Sequence, residues 1–293
     1  MAVTRMRFHS SGNGKKYIDL AQALSLQNRK LHRQKQMYTV YGGYYVDSNG
    51  SRVDINVAPN TWVAKRSVNR GFAMWRKMIA RTLADSEATG TGKWNDFKVY
   101  LNANQISSNT LNPVDGDEQN LFTGSAPEWA HSQLTSDDPD GPGGTPVDQY
   151  SLMIAGTHTG SDPNWLRVGL IDSWVGSRPH PQLEDPASGT MDSTDPLANL
   201  FDAGDALDER LTDIKNYGDE APYDEDAMFG FATTNTNPGS NLQRVSTAVT
   251  TSANAVVPVH GFEALCGLVE IDVSGDPGDY EIVLDVESVG VKF

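Results

Sequence analysis

Cysteine is nearly missing from this chain. Cys266 is the only one in 293 residues, which excludes an intrachain disulfide and a metal centre built from several cysteines of one chain. Long apolar runs are missing as well: nothing approaches the roughly eighteen consecutive apolar residues that a membrane span needs, and mean hydropathy is −0.46. The first residues lack the apolar stretch of a secretory signal, so folding in a reducing compartment is expected. Positive charge is scarce over most of the length. Residues 82–293 hold 8 Lys and Arg against 35 Asp and Glu, whereas residues 1–81 hold 15 against 3. The net charge of −15 therefore divides into +12 and −27, a segregation that suits a polyanionic partner at one end and water at the other.

Catalytic signatures are missing too. Gly12-Asn13-Gly14-Lys15 and Gly90-Thr91-Gly92-Lys93 lack the earlier glycine of a phosphate-binding loop, where His9 and Glu87 stand, and Lys16 and Trp94 replace its Ser or Thr. Gly156-Thr157-His158-Thr159-Gly160 has His where a nucleophile elbow needs Ser. The six histidines are scattered, with no H-E-x-x-H pair. Asp138 and Asp140 before Gly141 start like a calcium loop, but Pro139 and the missing later ligands break the pattern. No enzyme, cofactor or metal site is expected.

What is present begins with cations. Arg5, Arg7, Lys15 and Lys16 lead into Arg29-Lys30-Leu31-His32-Arg33-Gln34-Lys35, and such clusters hold nucleic acid by neutralising phosphates without reading sequence. Residues 1–36 read as a basic N-terminal arm, removable without loss of the body at 37–293. Arg66 to Asp85 reads as a helix with Ser67 at its N-cap. Val68, Phe72, Trp75, Ile79 and Leu83 fall on one side of it, and Arg66, Arg70, Lys77 and Arg81 on the other. These twelve cations are the expected nucleic-acid-binding residues.

The rest reads as strands between long polar loops. Tyr38–Val46 and Arg52–Val57 flank Asn49-Gly50, a hairpin signal. Phe97–Leu101, Tyr150–Ile154 and Leu166–Val175 carry strand patterns, as do Met228–Thr233, Leu242–Thr250, Leu265–Val273 (with Cys266 inside it) and Tyr280–Val289. Residues 102–146 and 178–227 read as loop insertions, the second holding a helix over Asp195–Tyr217 with an acidic solvated face. Runs of strands without alternating helices give the expected class: all-β, an antiparallel jelly-roll β-sandwich with long loops and two helices in the connections.

Several segments together resemble one family. The basic arm, the run Arg70-Gly71-Phe72-Ala73-Met74-Trp75 through Gly92-Lys93-Trp94-Asn95-Asp96-Phe97-Lys98-Val99-Tyr100-Leu101, the segment Ser177-Arg178-Pro179-His180-Pro181 and the strand Cys266-Gly267-Leu268-Val269-Glu270-Ile271 look like capsid proteins of small icosahedral viruses with circular single-stranded DNA genomes. The arm is less Arg-rich, and the body more acidic, than in many such capsids. The resemblance implies a jelly-roll subunit of a virion assembled inside the host cell, with many copies of itself and a single-stranded DNA genome as partners. A carbohydrate-binding or adhesin-like β-sandwich is the second reading, with Trp129, Trp165 and Trp174 as sugar-contacting residues.

Overall fold

Alternation with a period of two builds the centre of the molecule. In β13 (Asp279–Glu287), Tyr280, Ile282, Leu284 and Val286 point inward and are at most 1% exposed, while Glu281 and Asp285 point out. The computed structural model describes residues 3–85, 92, 94–108, 110–117, 121, 129–137, 147–161, 164–177, 242–287 and 290–293. Strand β13 lies between β1 (Val3–Ser11) and β3 (Met37–Val46), and β11 (Val256–Leu265) closes the far edge of this antiparallel sheet. A second sheet runs in the order β10 (Gln243–Val249), β4 (Ser51–Val57), β12 (Leu268–Gly275), β2 (Gly14–Asp19), also antiparallel, and the short β5 (Thr110–Leu111) pairs parallel to β2. Met6, Phe8, Tyr45 and Leu284 of the first sheet share one core with Ile18, Val53, Ile55 and Ile271 of the second. The protein is therefore a mostly β sandwich with few helices.

The first thirty-six residues are not an arm separate from the body, as the sequence suggested. Strand β1 pairs with β13 from Val3↔Glu287 to Ser11↔Asp279, and β2 pairs with β12. Asp19 then caps the helix α1 (Leu20–Asn28), its carboxylate accepting from the N–H groups of Ala21 and Gln22. Arg5-Met6-Arg7-Phe8 alternates as any half-buried strand does, with Met6 and Phe8 in the core. The cations occupy its outer face.

Between β4 and β10, the described residues of 58–177 supply a second layer over the outer face of the second sheet. Helix α2 (Trp62–Asp85) packs Val63, Val68 and Trp75 into a core with Tyr17 and Leu268 of that sheet and with Phe97, Val99 and Leu101. A third sheet, ordered β6 (Gln133–Asp137), β7 (Val147–Met153), β9 (Asn164–Gly169), β8 (Thr159–Ser161), and the helix α4 (Leu170–Gly176) complete the layer. Helix α3 (Ala103–Ser107) follows the Phe97–Leu101 segment. At Gly71 a Cβ would meet Leu170 Cδ2 at 2.7 Å, so any larger residue there would have to displace the Leu170 side chain where α2 packs on α4.

Other expectations change in detail. Asn49-Gly50 makes a tight turn, Asp47 accepting from the Asn49 N–H, but β3 and β4 lie in different sheets, so it is a crossing and not a hairpin. Phe97–Leu101 has the expected buried side, yet it joins no named strand: Tyr100 bridges Met153, and the Lys98 and Leu101 carbonyls accept from the Ser132 and Ala155 N–H groups. Lys98, expected outward, is buried with its ammonium 4.9 Å from the centre of the Trp129 ring. Leu166–Val175 divides into the end of β9 and α4. Cys266 is not in a strand: with φ of 58° it shares a tight turn with Gly267, φ 70°, that carries the chain from β11 in one sheet to β12 in the other. Burial pushes its thiol well above the ordinary range, as for an inert small apolar residue. The span 102–146 contains α3, β5 and β6, so it is not all loop. The Asp138/Asp140 pair, the 178–227 insertion, its expected helix and the Met228–Thr233 strand lie outside the described residues.

Candidate nucleic-acid interface

The feature best suited to hold a polyanion is α2. Over its 24 residues it carries Lys65, Arg66, Arg70, Arg76, Lys77 and Arg81, and no acid precedes Asp85. It starts four residues earlier than expected: Thr61 Oγ1 accepts from the Ala64 N–H at 3.1 Å, while Ser67 is buried inside the helix with its hydroxyl donating to the Ala64 carbonyl. The expected amphipathic arrangement holds. Phe72 stacks on Trp75 with centroids 6.1 Å apart and meets the edge of Phe97 at 5.6 Å, which fixes the inner face. Arg66, Lys77 and Arg81 are exposed on the opposite side. Arg70 is half-buried beside them and its guanidinium donates to Ser177 Oγ. At about 1.5 Å of rise per residue, Arg66 to Arg81 spans about 22 Å of surface. Arg76 was outside the sequence-derived stripe; it projects over the Phe72 ring at 5.7 Å and broadens the basic surface.

The N-terminal cations meet a different fate. Arg5 donates to Asp285 through Nε and Nη2, both at 2.7 Å, and Arg7 donates to Glu281 at 2.6 and 2.8 Å. These charge-assisted bonds hold both carboxyls below their usual range. Lys15 Nζ lies 3.2 Å from Glu270, which is buried and also accepts from Tyr17, Asn102 and Asn56. Arg33 makes a looser ion contact of 3.5 Å with Asp96, without hydrogen-bond geometry at that oxygen. Lys35 sits over the rings of Phe72 and Phe293 at 4.9 and 5.6 Å. Lys16 is half-buried on β2, and Arg29 and Lys30 are exposed after α1. Charges far apart in the sequence are thus brought together by the β1–β13 and β2–β12 pairings. For Arg5, Arg7 and Lys15 the segregation along the chain is therefore not a segregation in space.

Even the densest basic segment is anchored. Gln34 is buried, donating to Asp19 and to the Val99 carbonyl at 3.0 Å and accepting from the Val99 N–H at 2.5 Å. His32 is buried too, and desolvation with the nearby Lys30 charge lowers its pKa. Tyr17 and Tyr38 are fully buried, Tyr38 donating to the Arg33 carbonyl, so neither presents a ring for stacking on a base. Trp129 donates to Asp19 at 2.9 Å and Trp174 packs against the second core, so each has a packing role. The side chain of Trp165 lies outside the described residues. Among the described residues, no group of three His, Cys, Asp or Glu is placed to hold a metal ion, and no helix is long and apolar enough to cross a membrane.

No protein-family model, curated protein or solved structure matches this chain.

Proposed function

We propose that this chain is a structural protein of a virion, a jelly-roll subunit whose copies close into a shell inside a host cell around single-stranded nucleic acid, with α2 as its contact to the strand. The observation that carries the reading is α2 itself: six cations and no acid before its last residue, mounted on a protein of net charge −15. Such a helix is attracted to phosphate, while the acidic remainder keeps assembled particles apart in solution. The topology supports the same reading. With the eight long strands of the two facing sheets numbered by chain order, the sheets run 1-8-3-6 and 5-4-7-2, an order that fits two Greek keys folded into a jelly roll. That architecture presents loops and edges for repeated side-to-side contacts. A DNA cargo follows from the family resemblance.

Sedimentation velocity of the purified full chain tests this. The expected result is a large particle whose absorbance at 260 nm exceeds that of protein alone and returns to the protein value after high salt and nuclease. A monomer that neither assembles nor retains oligonucleotide at low salt would overturn it.

A further inference from the structure

Beside the basic stripe lies a cavity of about 350 Å³ between α2, β6, β7, β9 and α4. Its walls mix apolar side chains, Met74, Tyr150 and Leu170 among them, with the polar groups of Ser67, Arg70, His158 and Ser173. The volume is at the small end of ligand sites, which run from roughly 300 to 1,000 Å³. His158 is held in place by two bonds: its backbone N–H donates to Asp172 Oδ2 at 2.9 Å, and its Nδ1 accepts from the Gly169 N–H at 3.2 Å. Arg70 belongs to both features: it lines the cavity and flanks the exposed cations of α2. A strand following the stripe therefore passes a hole with a half-buried aromatic ring, aliphatic walls and hydrogen-bonding edges.

From this juxtaposition we propose that the cavity between α2 and the third sheet takes one unpaired nucleobase from a single strand, its phosphate held by Arg70 and its ring against Tyr150. The inference rests on the nucleic-acid reading of α2 and adds a site to it. Only an unpaired base enters such a hole, so the site selects single strands over duplex. Recognition is by ring face and hydrogen-bonding edge and tolerates several bases.

Fluorescence anisotropy with labelled oligothymidylate and an abasic oligonucleotide of equal length separates the two levels. Wild-type protein is expected to bind the base-bearing strand about tenfold more tightly, within the range that stacking of a base on an aromatic side chain contributes. Tyr150→Leu removes the ring and Ser173→Phe fills the cavity. Each is expected to bring the two strands within about twofold of each other, and thermal unfolding verifies that each variant is folded. The triple variant Arg66→Ser, Lys77→Ser, Arg81→Ser is expected to weaken both strands alike. Equal wild-type affinity for the two strands overturns the base site while leaving the α2 reading intact, and so does a preference that survives in whichever cavity variant is folded. Failure of wild type to bind either strand at low salt overturns both.

Discussion

Deleting residues 1–36 distinguishes a strand-forming N-terminus from a free arm. The segment buries Met6, Phe8, Ile18, Leu20 and Leu24, each at most 1% exposed. At about 1.5–3 kcal/mol for each large apolar side chain, their transfer from water supplies roughly 8–15 kcal/mol, comparable with the whole net stability of a domain, about 5–15 kcal/mol. Ordering entropy of the removed segment offsets part of this, but the β13 and β12 edges that it pairs with are bared at the same time. Residues 37–293 alone are therefore expected to be insoluble, or to unfold without a cooperative transition when followed by circular dichroism in urea. Phe8→Ala gives the graded version: about 3–5 kcal/mol lost in the full chain, as for a large aromatic removed from a core. A soluble truncated chain with an unfolding free energy within about 2 kcal/mol of the intact protein would refute the reasoning.

Three further outcomes are expected. If Arg66, Arg70, Lys77 and Arg81 each neutralise one phosphate, the logarithm of affinity for a single strand falls with the logarithm of salt with a slope of about −2.8, and Lys77→Ser with Arg81→Ser brings it to about −1.4; an unchanged slope would place the contact elsewhere. Burial raises the Asp19 carboxyl to about 6 against the donated hydrogen bonds of Gln22, Trp129, Gln34 and Ala21. A raised acid stabilises most below its unfolded value near 4, so stability falls as pH rises from about 4 to 6, on the order of 3 kcal/mol in urea titrations. Asp19→Asn should flatten that window, whereas the losses from protonating Glu281 and Asp285, whose pKa values are lowered, come at more acidic pH; an equal slope in the variant would contradict the assignment. Trp75→Ala should cost roughly 3–5 kcal/mol in denaturant unfolding, and a change within about 0.5 kcal/mol would show that the inner face of α2 is misplaced.

Local patterns were legible in the sequence, and pairings were not. Tyr280, Ile282, Leu284 and Val286 announced β13 by alternation, and Val68, Phe72 and Trp75 announced the buried side of α2 by helical spacing. The same alternation exists in Arg5-Met6-Arg7-Phe8, but the charges that accompany it look like a solvated tail until Asp285 and Glu281 are placed beside them. Those partners lie more than 270 residues away, a distance no local window spans. Strand β11 escaped notice because Pro258 and Gly261 interrupt it, which an edge strand tolerates. The turn at Cys266-Gly267 was hidden inside one apolar run that serves the ends of two strands in opposite sheets. The half of the candidate site on α2 was readable because a helix gathers its cations locally. The cavity was not, since Arg70, Tyr150, His158 and Ser173 meet only when α2 packs on the third sheet and α4.

Electron microscopy of particles formed by the full chain, at a resolution that places α2, tests the central claim most directly. Closed shells are expected, with nucleic-acid density against the Arg66–Arg81 surface on the lumenal side. Isolated subunits, or shells in which that surface faces the outer solvent, would contradict it.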